Sequence, residues 1–145
     1  MTLAERRTRL FLALPIWRKT AELTTQAITS LLGAWKDWIH TITYDNGREF
    51  SGHATIAKAL DCQGFFARPY HSWERGLNEN SNGLLRQYFP KGMRLDKVSK
   101  EEVFAAVEAM NQRPRKCLGF QTPWEVFTQL TQPNGTGRTR GALMG

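Results

Sequence analysis

Two carboxylates and one arginine sit where their types and spacing suit chemistry on a phosphate. Asp45 follows the β-branched run Ile39–Tyr44 (IHTITY) and is succeeded at once by Asn46-Gly47. Such a run favours a strand, and a carboxylate at a strand end stands where sites of α/β sheets usually lie. Asn-Gly between apolar runs is equally a hairpin signal. The following Arg48–Gly52 makes a poor second strand, so the local pattern leaves both readings open. Glu79 lies in LNENSNGLLRQYF, where three asparagines and a glycine weaken helix propensity. Leu77, Leu84, Leu85 and Tyr88 nevertheless keep a helical apolar stripe. Glu79, Gly83 and Arg86 fall at i, i+4 and i+7 on another face. Propensity given up along one side of a helix is a mark of function; a frayed, solvated helix start fits the same residues.

Taken together, Asp45 and Glu79 suit a hard divalent cation. Magnesium takes oxygen ligands and is commonly held by one or two carboxylates plus substrate phosphates. Paired ions of this kind activate an attacking hydroxyl and stabilise the leaving oxygen of a phosphodiester. Arg86 is placed to hold a phosphate. Tyr70 and Trp73, in the loop before Glu79, suit either packing or stacking on a base. His53 and His71 receive no ligand role. Arg113, Arg115 and Lys116 form a basic turn that fits DNA backbone or plain solvent.

The elements that must position these groups can be read in turn. Thr2 to Ile16 is extended and interrupted at Arg6-Arg7, giving two short strands, with Leu10, Leu12 and Leu14 alternating in the second. Thr20 caps a helix to Leu32 whose apolar face is Leu23, Ala27, Ile28, Leu31 and Leu32, with Gly33 as its stop. After the strand Ile39–Tyr44 come a helix from His53 to Cys62, a stop at Gly64 and a short buried strand Phe65–Ala67. A loop, Pro69 to Gly76, leads to a helix Leu77–Phe89 ended by Pro90. Ser99 and Glu102 form a capping box for a helix carrying Val103, Val107 and Met110, and Thr122-Pro123-Trp124-Glu125 begins a last one. The order is strand, strand, helix, strand, helix, strand, then helices: α/β with a mixed sheet.

Composition bounds the class. The 145 residues carry a net charge of +7, which attracts polyanions without specifying one. No stretch has the ~20 consecutive apolar residues of a membrane helix. Leu10–Ile16 is not expected to be a signal peptide core, since no small-residue cleavage site follows and the chain resumes with Trp17-Arg18-Lys19. Cys62 and Cys117 fit reduced cytosolic thiols and form no zinc pattern.

The segments TYDNGREFSGH, PYHSWERGLNENSNGLLRQYFPKG and NQRPRKCLGFQTPWEVF resemble the catalytic core of bacterial insertion-sequence transposases of the family numbered thirty. The resemblance spans about Thr2 to Leu130. It implies an RNase H-like mixed sheet flanked by helices, with a helical C-terminal part. It implies DNA transposition by metal-dependent cleavage and strand transfer, with Asp45 and Glu79 as catalytic, metal-holding residues and Asn80, Arg86 and Lys91 on DNA. Mg²⁺ or Mn²⁺ in a two-metal site, DNA ends and target as partners, self-association and a bacterial cytoplasmic, nucleoid-associated location follow from the same likeness. The family's first aspartate lies on a strand before the segment like Thr2–Arg9, and its end-recognising helix-turn-helix precedes that. The expectation is therefore a partial core over residues 1–131, lacking its first strand and inactive alone, with a disordered tail over 132–145. A non-catalytic DNA- or transposase-binding regulator, or the remnant of a decayed element, are the alternatives.

Overall fold

The computed structural model describes residues 1–68, 76–94, 97–132 and 141–144, the last four as backbone. The chain begins with a hairpin of β1 (Thr2–Glu5) and β2 (Phe11–Ala13), in register Thr2 with Ala13, Leu3 with Leu12 and Ala4 with Phe11. Its turn is organised by one buried carboxylate. Glu5, only 4% exposed, accepts hydrogen bonds from the Arg7 N–H, the Thr8 N–H and the Thr8 hydroxyl. The Thr8 oxygen in turn accepts from the Leu10 N–H, and Arg9 adopts a left-handed φ of 63°. The expected break at Arg6-Arg7 is thus this turn. The expected alternation of Leu10, Leu12 and Leu14 shifts, because both faces of β2 are covered. Phe11 and Ala13 are buried on one face and Leu12 packs on the other.

Helix α1 (Ala21–Leu32) starts at Thr20, whose hydroxyl accepts from the Leu23 N–H. Thr24, Ala27, Ile28 and Leu32 are buried, whereas Leu23 is exposed, so the inward face begins one residue later than expected. Gly33 caps the helix in a right-handed conformation and does not stop the chain's winding, which continues as 3₁₀ turns through Trp38. Strand β3 (Ile39–Tyr44) follows as expected, with Ile39, Ile42 and Tyr44 buried. Helix α2 (His53–Leu60) ends at Asp61, in the left-handed conformation, and not at Gly64. Strand β4 (Gln63–Phe66) pairs parallel with β3. It is an edge strand, not the buried one expected: Phe65 and Phe66 are 50% and 42% exposed.

Helix α3 (Gly76–Leu85) continues as turns through Phe89. The loop expected before it, with Tyr70, His71 and Trp73, lies outside the described residues. Helix α4 (Lys100–Asn111) has the expected capping box, with the Glu102 N–H on the Ser99 hydroxyl at 3.1 Å and the Ser99 N–H on the Glu102 carboxylate at 2.7 Å. Helix α5 (Pro123–Thr131) repeats the device with Thr122 and Glu125, and its Phe127 meets Trp35 edge-on at 5.2 Å. Two apolar layers result. Leu3, Ile39, Ile42 and Tyr44 pack with Ile28 and Leu32 of α1 and Ile56 and Leu60 of α2. Ala4, Phe11 and Ala13 pack on the other face with Val103, Val107 and Met110 of α4 and Leu77, Leu84 and Leu85 of α3. The buried Asn111 amide clips this second layer to β2: it accepts the Phe11 N–H at 2.9 Å and donates to the Phe11 carbonyl at 2.8 Å.

Between the two strand pairs runs β5 (Gly141–Met144), in the sheet order β2-β1-β5-β3-β4. It pairs antiparallel with β1, Ala4 opposite Met144 and Glu5 opposite Leu143. It pairs parallel with β3, from Ile39 opposite Gly141 to Thr43 opposite Met144, with a register shift between Ile39 and Thr41. This corrects one expectation: residues 141–144 are not part of a disordered tail but form a strand at the centre of the sheet. Local composition reads as a tail because Gly and Ala favour strands little. The flanking β1 and β3 expose rows of backbone donors and acceptors that a buried sheet cannot leave unmade.

Truncating the chain after Gln132 takes away both ladders of β5. Buried unpaired groups cost about 1–3 kcal/mol each, against a total domain stability of about 5–15 kcal/mol. The expected outcome is loss of a cooperative urea transition, with aggregation on gel filtration through the freed β1 and β3 edges. Leu143→Pro, which removes a ladder donor from the centre of the sheet and leaves its partner unpaired, should cost about 1–3 kcal/mol. Midpoints equal to that of the intact chain in both variants would show that β5 contributes nothing.

Candidate functional site

Asp45 emerges at the carboxyl end of β3, on a turn tied both to itself and to the end of β4. Its Oδ1 accepts the Gly47 N–H at 2.9 Å, which closes a side-chain turn over the strand end. The Asn46 amide donates to the Ala67 carbonyl at 3.0 Å, while the Ala67 N–H reaches the Tyr44 carbonyl at 2.8 Å. The turn is thereby fastened to the end of β4 as well as β3. Of the two readings open for Asp45-Asn46-Gly47, the hairpin is set aside: the chain goes on through a 3₁₀ turn, Arg48–Phe50, into α2 and returns as a parallel strand.

Gly47 has ordinary backbone angles, with φ −70°, and its missing side chain leaves room for two neighbouring carboxylates. A Cβ there would lie 2.4 Å from a Glu49 carboxylate oxygen and 2.8 Å from Asp45 Oδ1. The Glu49 carboxylate thus sits beside that of Asp45, across the hydrogen of Gly47. Its other oxygen is 3.9 Å from the Lys19 ammonium. Sequence reading passed over Glu49; its signal is a second acid on the same tight turn. Underneath, Phe50 and Phe66 pack on the Tyr44 ring at 5.3 and 5.6 Å, and His53 stands edge-on to Phe66 at 5.0 Å. Burial, and then the Cys62 thiol nearby, hold the Tyr44 phenol well above its ordinary pKa. It therefore serves as neutral packing beneath the turn.

Glu79 lies in the first turn of α3 and is exposed, as are Asn80, Gly83 and Arg86, so the face set apart in the sequence does look outward. Leu77, Leu84 and Leu85 on the other side pack into the core. Arg86 and Lys91 line one groove of about 770 Å³ together with Asn82, Lys19 and Trp17. Asn80, Asp45 and Glu79 are not among its lining residues. Lys19 and Trp17 are not among the site residues the sequence suggests; there Trp17-Arg18-Lys19 serves only to exclude a signal peptide.

Strand directions put this groove and Asp45 at the same end of the sheet. Thr43 and Ala4 both face Met144, so the carboxyl end of β3 lies level with the amino end of β1. Met1 and Leu14, which exchange backbone hydrogen bonds, continue that end into the groove wall. Lys19 spans the two features, lining the groove and meeting the Glu49 carboxylate. Among the described residues no three His, Cys, Asp or Glu side chains gather as a metal cage. The oxygen donors present, Asp45 with Glu49 beside it, match a hard cation that keeps water and phosphate as further ligands.

Comparison with known proteins gives the kinship of this arrangement. No family model matches the chain. It is 50% identical over 99 residues to the transposase for insertion sequence element IS4351 of Bacteroides fragilis, covering 68% of this chain and 30% of the relative. It is 35% identical over 127 residues to the transposase InsI for element IS30C of Escherichia coli K12, covering 87% of this chain and 33% of the relative. The chain thus spans about a third of the length of these transposases. In structure it is similar to the catalytic core domain of BIV integrase, with a TM-score of 0.68 and 22% identity, covering 87% of this chain and 82% of that one. It also matches a chain of a simian T-cell lymphotropic virus intasome, with a TM-score of 0.63 over 88% of this chain and 46% of that one. Sequence kinship and fold agree: the chain belongs to the insertion-sequence transposases and has the RNase H-like fold of integrase catalytic cores.

Proposed function

We propose that this chain acts in DNA transposition, as part of a core that cleaves DNA at element ends and transfers the freed strand to target DNA. The observation that carries the reading is the basic groove of Arg86, Lys91 and Lys19 opening at the sheet end that bears Asp45. In this reading Asp45 and Glu79 are catalytic and hold a divalent cation, Mg²⁺ or Mn²⁺. Asn80, Arg86 and Lys91 hold DNA phosphates. When bound, the metal supplies charge neutralisation at the phosphodiester and lowers the pKa of the attacking hydroxyl.

The chain's own part is positional. The Gly47 N–H and the Asn46 amide fix the Asp45 carboxylate at the strand end. Arg86 and Lys91 hold the backbone on either side of the reacting phosphate. In cleavage, a water oxygen bonds to phosphorus as the bond from phosphorus to the 3′ oxygen breaks; the water gives up a proton and the departing 3′ oxygen takes one up, leaving a 5′-phosphate and a 3′-hydroxyl. In transfer, the freed 3′-hydroxyl replaces water and a target-strand oxygen leaves. Two copies acting on two element ends make self-association part of the proposal. Among the described residues no helix is long and apolar enough to cross a membrane. We place the chain in the bacterial cytoplasm, at the nucleoid.

A second reading has its own support. The strand beside β3, Gly141-Ala142-Leu143-Met144, carries no acid next to Asp45. A core with that strand in place binds DNA yet lacks a second strand-borne carboxylate, as a non-catalytic regulator would. Strand-transfer assays on a pre-cut element end separate the readings: the chain transfers strands itself, or it binds DNA and lowers the activity of a complete transposase.

In a full-length relative, the amide substitutions equivalent to Asp45→Asn and Glu79→Gln should each reduce metal-dependent cleavage and joining to background with the fold intact. Activity within about tenfold of wild type would remove the residue from the catalytic set. In this chain, Arg86→Ala should weaken binding to any DNA sequence and reduce the slope of log K against log salt by about one. An unchanged slope in salt titrations would show that Arg86 touches no phosphate.

A further inference from the structure

The lining of the groove beneath Arg86 and Lys91 differs from a surface that meets phosphates alone. Its rim carries Lys19, Arg86 and Lys91, and none of the described lining residues is acidic. Its floor is apolar, with Ile16, Leu85 and Phe89. At its mouth stands Trp17, an indole 67% exposed in the short link between β2 and α1. A polyanion matches the rim. A duplex meets such a rim through its phosphates and leaves the indole and the apolar floor wet, since its bases are stacked inside. A strand with unpaired bases uses all three: cations along the backbone, and an aromatic face on which any base can stack.

We propose that this groove binds single-stranded DNA, with Trp17 as a stacking platform for an unpaired base and Lys19, Arg86 and Lys91 along its backbone. This rests on the groove's being a DNA surface and goes further by naming the form of DNA and a residue that reads it. Trp17 is a positioning residue here; it holds a nucleotide at the sheet end of Asp45 and touches no reacting atom. Lys19 joins the two features physically, since it lines the groove and meets Glu49 across the turn from Asp45.

The test is fluorescence anisotropy of the 145-residue chain with a labelled oligo-dT strand and with a blunt duplex of equal length. The single strand should bind more tightly. Trp17→Ala should weaken single-strand binding by about 5- to 150-fold, the range of one lost base stack, and leave duplex binding unchanged. Trp17→Phe should restore most of the loss. Lys19→Ala should weaken both DNAs and lower both salt slopes. Thermal unfolding of each variant controls for folding, and the exposure of Trp17 predicts unchanged midpoints. No effect of Trp17→Ala, or equal loss on strand and duplex, overturns the stacking role while leaving the groove a DNA surface. Failure of both DNAs to bind the unaltered chain overturns the groove as a DNA surface and this inference with it.

Discussion

Backbone pairing at β5 is the interaction on which the rest of the molecule depends. Among the described strands, β1 pairs only with β2 and β5, and β3 only with β4 and β5. Four residues therefore make one sheet out of two strand pairs. Both apolar layers rely on that continuity. The α1–α2 layer needs Leu3 of β1 and Ile42 of β3 on the same surface, and these residues come from opposite sides of β5. The positions of Asp45 and the groove follow too, because the level of β3 against β1 is set through Met144.

At the site itself, hydrogen bonds within the turn and across to the end of β4 converge on three residues, Asp45 to Gly47. Asp45 takes the Gly47 N–H, Asn46 donates to Ala67, and Gly47 leaves room for the carboxylates of Asp45 and Glu49. A carboxylate held this way loses little further freedom on meeting a ligand, which is what preorganisation means for a charged group. Glu49 and its contact with Lys19 extend the arrangement from the turn to the groove. Charge at the strand end and charge along the groove are thus parts of one surface.

How much of this was legible in the sequence followed the range of the interactions. Ile39–Tyr44, the cap at Thr20 and the boxes at Ser99/Glu102 and Thr122/Glu125 rest on contacts within a few residues, and each appears where its local signal stands. The exposure of Phe65 and Phe66 was not legible, because an edge strand and a central one share composition. Nor was the burial of Glu5, whose partners come from the turn that replaces the simple break read at Arg6-Arg7. The Asn111 clip joins residues 100 positions apart and leaves no trace in either neighbourhood. At the site, Asp45 and its turn could be read; the convergence of Arg86 and Lys91 with Trp17 and Lys19 needed the fold.

The place of β5 also bears on the order in which the chain can fold. A strand at the middle of the sheet is here the last of the described strands, so its contacts with Ala4 and Glu5 join residues far apart in sequence. Contacts of such separation raise contact order and slow folding, since loop closure must precede any reward from pairing. On the ribosome, the β1–β2 hairpin and the parallel β3–β4 unit emerge well before the strand that unites them.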